Sequence, residues 1–151
     1  MKQIFVGADH RGFGLKEKIK KELIAMGENV TDCGSKSYDK DDDYSEISIQ
    51  LAEKMVANKG IGILICGSGI GISIAANKVK GVRAALCLNK QQAQMAREHN
   101  DANILCLAVD MADENLNLKI VKIFLETLFS SEERHIRRLQ VIKKYEDSKI
   151  S

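Results

Sequence analysis

The amino-acid sequence predicts an α/β fold, a Rossmann-like three-layer sandwich built around a five-stranded parallel sheet. Short apolar runs alternate with stretches of helical periodicity, which is typical of parallel strands joined by crossover helices. The apolar runs cover residues 4–6, 29–31, 61–65, 82–86 and 104–107. We expect five strands and about six helices in a single domain over residues 1–151, because 151 residues are too few for two domains of ordinary size.

The first helix follows from the spacing of its apolar residues. Leu15, Ile19 and Leu23 recur every four residues, and Gly27 stops the run. The pattern predicts a helix over residues 14–26.

The later helices are predicted mainly from residues that begin helices. Asp43 and Glu46 stand three apart before a periodic apolar run, as in a capping box. Asn89 is the expected N-cap of a helix over residues 90–98. Two amphipathic helices follow, one marked by Leu116, Ile120, Ile123 and Phe124, and a last one capped by residues 130–133.

The composition excludes several classes of protein. Hydrophobic residues make up 44% of the chain and charged residues 29%, which is typical of a globular protein, and no apolar run is long enough to cross a membrane. A formal charge of +2 with few aromatic residues argues against nucleic acid as a partner. Four cysteines without paired spacing and the lack of a secretory signal pattern predict reduced thiols, no structural zinc and a cytoplasmic location.

A cysteine and a glycine-rich turn meet at residues 66–71, where the sequence reads CGSGIG. Glycines at 67, 69 and 71 allow a tight turn whose N–H groups point at one spot, and a short helix follows. Such a turn suits a phosphate or an enediolate oxygen, and its field would lower the pKa of a thiol. Cys66, with the Ser68 hydroxyl beside it, is therefore the candidate base or nucleophile; the alternative is an ordinary buried cysteine like Cys106.

The turn does not match a nucleotide-binding fingerprint. A dinucleotide motif needs its third glycine at position 72, which is Ile72 here, and a carboxylate at the end of the next strand, which this chain lacks. A Walker lysine is missing as well. The expected ligand is therefore a small phosphorylated metabolite.

Other polar residues fall at both ends of the predicted sheet. Asp9 and His10 follow the first strand and so share the rim of Cys66, although a helix-capping pair explains them equally well. His99 ends a helix of about nine residues, which rises ~14 Å and places it on the opposite rim. If His99 is catalytic, a second subunit must present it; the alternative is a favourable cation at a helix end.

Two arginines of the last helix are candidates for phosphate binding. Arg134 and Arg138 stand four apart, so two guanidinium groups can close on one phosphate. Ion pairing with the neighbouring Glu132 and Glu133 explains them as well. The acidic run over residues 39–43 is interpreted as a solvated loop.

The sequence contains four separated motifs, which are DHRG at residues 9–12, CGSGIGISIAANK at 66–78, GVRA at 81–84 and REHNDAN at 97–103. Together they resemble the ribose-5-phosphate isomerase B family, which also includes galactose-6-phosphate isomerase subunits. Asp43-Tyr44 and the Arg134-His135-x-x-Arg138 pattern fall in the expected places, and the resemblance runs through nearly the whole chain.

The resemblance implies an aldose-ketose isomerase without metal or cofactor, which interconverts ribose 5-phosphate and ribulose 5-phosphate in the pentose phosphate pathway through an enediol. It also implies a homodimer, or a dimer of dimers, with sites shared between subunits. In the implied chemistry, Cys66 transfers the proton with help from Ser68, and His99 opens the sugar ring. The enediolate is stabilised by the N–H groups of Gly67, Gly69, Ile70 and Gly71. The implied substrate contacts are Tyr44, the ring-hydroxyl ligands Asp9 and Asn100, and the phosphate ligands His10, Arg134 and Arg138.

Two positions depart from the family pattern. Ser68 stands where several members carry threonine, which keeps the hydroxyl. Asp110 stands where the family usually has arginine, and its carboxylate would repel a phosphate unless the segment is displaced or a nearby cation such as Lys119 compensates. Asp110 is the reason for two alternatives, an isomerase of a phosphorylated hexose (allose or galactose 6-phosphate) and a non-catalytic sugar-phosphate-binding subunit.

Overall fold

The computed structural model describes residues 2–149, which form a five-stranded sheet and six helices. The strands are β1 (Ile4–Ala8), β2 (Val30–Asp32), β3 (Ile61–Cys66), β4 (Ala84–Leu86) and β5 (Ile104–Ala108). The helices are α1 (Phe13–Ala25), α2 (Tyr44–Ala57), α3 (Ile70–Ala76), α4 (Lys90–Asn100), α5 (Glu114–Glu126) and α6 (Glu133–Ser148). Within this part of the chain, none of the helices combines the length and the hydropathy that crossing a membrane requires.

All four strand pairings are parallel, in the order β2-β1-β3-β5-β4. The central strand β3 therefore has neighbours on both sides, and every residue from Ile61 to Cys66 is buried. Such a strand is expected to be continuously apolar rather than alternating, as the sequence of β3 is. The predicted α/β fold with a parallel sheet is confirmed.

Helices cover both faces of the sheet, which gives the predicted three layers. Residues of the central strands alternate between two hydrophobic clusters. Ile63 and Ile65 pack with residues of α1, α4 and α5, whereas Leu64 and Cys66 pack with residues of α2 and α3. The side chain of Cys66 therefore belongs to the α2 and α3 side of the sheet.

The helix boundaries agree with the predictions to within about two residues, but two of the predicted caps differ. Asn89 caps α4 as expected, accepting a hydrogen bond of 2.8 Å from the Gln92 N–H. Asp43 precedes α2 without capping it, because its carboxylate accepts from the Ser45 hydroxyl instead, so the capping box is wrong. Glu132 precedes α6 and its side chain makes no cap bond either.

A buried lysine ties the loop after β2 to α1. Lys16 is fully buried, and its ammonium donates to both carboxylate oxygens of Asp32 and to the carbonyl of Ser35. A buried charge is tolerated when its hydrogen bonds are satisfied, as they are here. This network fixes the start of the segment that leads to α2.

The loop between β1 and α1 lies directly on the end of β3. A Cβ atom at Gly12 would come within 2.6 Å of the carbonyl oxygen of Ile65, so only glycine fits there. A Cβ atom at Gly14, two residues further on, would meet nothing within 4 Å. Gly12 thus permits the approach that brings the β1 loop next to Cys66.

Replacing Gly12 by alanine should lower the free energy of unfolding by about 1–3 kcal/mol, because the loop must move off the backbone of β3. Gly14→Ala is the matched control and should be neutral or stabilising by up to about 1 kcal/mol, since alanine favours the helix. Urea denaturation of the two variants measures the difference. Equal stability would mean that the close approach at Gly12 is not a constraint.

Candidate active site

The predicted nucleophile lies where the central strand turns into α3. Cys66 is the last residue of β3 and is 5% exposed. Its sulfur accepts a hydrogen bond of 3.0 Å from the N–H of Gly69, whose φ of +72° is the left-handed conformation that glycine adopts without strain. The glycine turn therefore does surround the thiol with backbone N–H groups.

The pKa of the Cys66 thiol is raised, not lowered as the sequence predicted. Burial has the largest effect and disfavours the thiolate, and the nearby carboxylate of Asp9 acts in the same direction. The N–H groups of Gly69, Ile72 and Ser68 lower the pKa, but they do not offset the burial. The balance of these effects therefore favours the thiol over the thiolate.

Asp9 lies beside this thiol, at the rim predicted for it. Strands β1 and β3 are paired, with Ala8 opposite Ile65, so the residue after β1 arrives at the level of Cys66. Asp9 is 6% exposed and its carboxylate accepts the N–H groups of Arg11 and Gly12. Asp9 therefore makes the backbone hydrogen bonds expected if it caps the loop before α1. Burial raises the pKa of its carboxyl group.

His10 is held by a residue that the sequence analysis missed. The Nδ1 atom of His10 lies 2.9 Å from Oδ1 of Asp42, and the same oxygen accepts the backbone N–H of His10 at 3.0 Å. The Asp42 side chain is only 8% exposed. The interpretation of residues 39–43 as a solvated loop was therefore wrong for Asp42. This residue lies 32 positions from His10 in the sequence, but its carboxylate holds the His10 ring in place.

The remaining predicted contacts of the glycine turn also lie close to it. The ring of Tyr44, the first residue of α2, lies against Gly71, where a Cβ atom would come within 2.6 Å of the ring carbons. The Ser68 hydroxyl accepts the N–H of Ile70 at 3.2 Å and is exposed. The structure thus brings together Asp9, His10, Tyr44, Cys66 and the turn over residues 67–71.

The carboxylate of Asp110 does not face Lys119. It pairs with Arg11, with 2.5 Å between the Asp110 Oδ1 and the Arg11 guanidinium nitrogen Nη2. Lys119 instead lines a groove of about 560 Å³ between α1 and α5. The idea that Lys119 compensates for Asp110 is therefore wrong, and the cation that does so comes from the β1 loop.

His99 and Asn100 lie at the opposite rim, as predicted. They end α4, which starts after the carboxyl end of β4 and returns to the amino end of β5. The His99 ring lies 4.5 Å from the ring of His135, centroid to centroid, and His135 is buried with its Nδ1 atom 2.7 Å from the Ser130 hydroxyl. Burial and the neighbouring His99 lower the pKa of His135.

Arg134 and Arg138 share an exposed face of α6 beside His135. The Arg134 guanidinium donates to the carboxylate of Glu132 at 2.8 Å, so the ion-pair alternative describes its bonds within one chain. Asn100 lines a groove of about 440 Å³ together with residues of α6. These residues do not lie near the Cys66 of their own chain, and the structure therefore divides the predicted site into two halves.

Residues 2–149 contain no group of three or more His, Cys, Asp or Glu side chains placed to hold a metal ion. The polar groups at the Cys66 rim are backbone N–H groups, the His10 imidazole, the hydroxyls of Ser68 and Tyr44, the Arg11 guanidinium and carboxylates that already have partners. This arrangement can hold an anion and move a proton.

Residues 4–142 match the model of the Ribose/Galactose Isomerase family, and the chain belongs to that family. The protein is therefore a sugar isomerase. It is 43% identical to the probable ribose-5-phosphate isomerase B of Mycoplasma genitalium over 145 residues, which cover 95% of each chain. It is 42% identical to ribose-5-phosphate isomerase B of Mycobacterium tuberculosis, covering 95% of this chain and 90% of that protein.

Solved structures agree with these relatives. The crystal structure of the Mycoplasma genitalium enzyme with bound ribulose-5-phosphate superposes with a TM-score of 0.93 at 42% identity, covering 96% of both chains. Type B ribose 5-phosphate isomerase from Trypanosoma cruzi gives a TM-score of 0.92 at 39% identity, covering 97% of this chain and 99% of that one. The family predicted from the four motifs is confirmed.

The raised pKa of Cys66 predicts slow alkylation near neutral pH. The reactive form is the thiolate, so the rate of modification by iodoacetamide should rise about tenfold per pH unit between about pH 7 and 9. Mass spectrometry of the modified peptide separates Cys66 from the other cysteines. Asp9→Asn removes a charge that raises the pKa, so Cys66 should react faster in this variant; a rate that is already independent of pH near neutrality would contradict the assignment.

Proposed function

We propose that this protein is a ribose-5-phosphate isomerase that interconverts D-ribose 5-phosphate and D-ribulose 5-phosphate through an enediol. The proposal treats residues 1–151 as one isomerase domain that works in the cytoplasm without metal or cofactor. Its relatives at 42–43% identity carry that name. The observation that carries the proposal is the sulfur of Cys66, held by the N–H of Gly69 at the carboxyl end of the sheet with Asp9 beside it.

Cys66 is the proposed base. Its thiolate removes the proton from C2 of the open-chain aldose, the electron pair forms the C1–C2 double bond, and the aldehyde oxygen takes up the negative charge. Return of the proton to C1, with transfer of the O2 proton to O1, gives the ketose. The N–H groups of the turn over residues 67–71 stabilise the enediolate, and the exposed Ser68 hydroxyl positions or activates the thiol.

The phosphate group at the other end of the sugar needs positively charged side chains to bind it. His10, which Asp42 orients, lies at the Cys66 rim and is proposed to bind the phosphate together with Arg134 and Arg138. Asp9 and Asn100 bind ring hydroxyls, Tyr44 contacts the substrate above the turn, and His99 protonates the ring oxygen to open the furanose.

These roles require two copies of the chain. His99, Asn100, Arg134 and Arg138 sit at the opposite rim from Cys66, and a two-fold dimer brings one rim of each chain to the other rim of its partner. Exposed apolar side chains on α3 and α6 support such an interface, because patches of this kind mark surfaces that bind protein. They are Ile70, Ile74, Val141, Ile142 and Tyr145, which are 46–65% exposed.

The purified protein should convert ribose 5-phosphate in the presence of EDTA, and Cys66→Ala should lower kcat by about 10²–10⁴-fold, because the base is lost. Phosphate binding should change little, since the thiol and the phosphate-binding residues are separate. Cys33→Ala, a change at a half-buried cysteine outside the site, is the matched control and should retain activity. Full activity of Cys66→Ala would remove the thiol from the mechanism.

The same assay separates the alternatives that Asp110 raises. Turnover of allose or galactose 6-phosphate without turnover of ribose 5-phosphate would identify a hexose phosphate isomerase. A folded protein that binds these sugars and converts none of them would be the non-catalytic subunit.

Mixed dimers test the shared site. Cys66→Ala and His99→Asn chains should each be nearly inactive alone, but a mixed dimer has one site with both wild-type residues. Random mixing should therefore restore about a quarter of the wild-type activity, because half of the dimers are mixed and each has one working site. Activity no greater than that of the two parents would place the whole site within one chain.

A further inference from the structure

An exposed ion pair covers the first glycine of the turn that holds Cys66. A Cβ atom at Gly67 would lie 2.7 Å from Oδ2 of Asp110 and 2.8 Å from Nε of Arg11. The Arg11 and Asp110 side chains are 54% and 45% exposed, and they come from positions 99 residues apart. Neither residue has a role in the mechanism described above.

The backbone holds Asp110 in this place. The N–H of Asp110 donates to the carbonyl of Gly67 at 3.0 Å, and the N–H of Val109 donates to the carbonyl of Cys66 at 3.0 Å. The chain after β5 is therefore bonded along the glycine turn. The backbone of Asp110 cannot leave the turn without breaking these bonds.

The rim would repel an anion without Arg11. Asp9 and Asp42 already place two carboxylates there, and His10 faces Asp42. Asp110 adds a third carboxylate, for which Arg11 is the one ion-pair partner among the described residues. The Asp110 carboxylate in turn raises the pKa of the Arg11 guanidinium.

We propose that Arg11 is a positioning residue that neutralises Asp110, so that the glycine turn accepts the anionic enediolate and the rim around it does not repel the sugar phosphate. This inference rests on the proposed function, because it assigns the pair to the same substrate. It predicts that removing the Arg11 charge alone lowers kcat/KM, that removing the Asp110 charge alone raises it, and that removing both charges together changes it little.

The test is a double-mutant cycle on ribose 5-phosphate isomerisation at low ionic strength. Arg11→Met keeps the apolar stem and leaves Asp110 uncompensated, so kcat/KM should fall about tenfold, a like-charge effect reduced by solvent exposure. Asp110→Asn frees the guanidinium, so KM should fall about threefold. The double variant should return to within about threefold of wild type, and the differences should shrink in high salt because exposed charges are screened.

A direct substrate contact and a purely structural role for the pair predict different results from these. If Arg11 binds substrate directly, the double variant will be as weak as Arg11→Met. If the pair only stabilises the fold, both single variants will lose activity together. Either result overturns the proposal. Lys18 and Glu114 form another exposed ion pair between separate elements, and Lys18→Met and Glu114→Gln are the matched controls, which should leave kcat/KM unchanged.

A second readout needs no substrate, so it separates failure of this inference from failure of the proposed function. At a fixed pH of about 8, alkylation of Cys66 should be slower in Arg11→Met and faster in Asp110→Asn than in wild type, because the charges act on the thiolate. Equal rates in all variants would show that the pair does not influence the turn. Wild-type protein that fails to convert ribose 5-phosphate but shows these shifts would reject the substrate and keep the electrostatic role.

Discussion

The parallel pairing of β3 with both β1 and β5 is the constraint on which the site depends. Ala8 lies opposite Ile65, and Cys66 lies opposite Ala108, so the three strands end at one level. Asp9, the glycine turn and Asp110 follow these ends directly and therefore meet, although they are distant in the sequence. A shift of the register by one residue would turn the Cys66 side chain to the α1 face of the sheet and away from α2 and α3.

Two effects with opposite signs act on the thiol at this place. The glycine turn offers N–H groups that favour the thiolate, whereas the closely packed end of the sheet removes water and favours the thiol. Burial is the stronger effect. For the proposed base, a raised pKa makes the thiolate scarce at neutral pH, but each thiolate that forms is a stronger proton acceptor. The turn lowers the cost of forming that thiolate without making it the resting state.

Local signals in the sequence were sufficient for the fold and for the grouping of the candidate residues around Cys66. The continuous apolar run of β3, the four-residue spacing in α1 and the cap at Asn89 depend on neighbours within one turn or one strand. Asp42 and Arg11 were missed because their partners lie 32 and 99 positions away, where no periodicity relates them. The pKa of Cys66 was misjudged for a similar reason: the motif shows which N–H groups face the sulfur, but how much water the surrounding helices remove depends on tertiary packing.

The division of the predicted residues between two rims argues for a symmetric assembly more strongly than any single contact does. Crossover helices return the chain from the carboxyl to the amino end of the sheet, so a residue late in α4 is necessarily far from one that follows β3. His99 packs against the buried His135 of α6, and this contact also fixes Arg134 and Arg138 at the far rim. The proposed two-fold dimer would join the two halves of the site twice without changing α4 or α6, and the apolar side chains exposed on α3 and α6 lie on helices that flank the two halves.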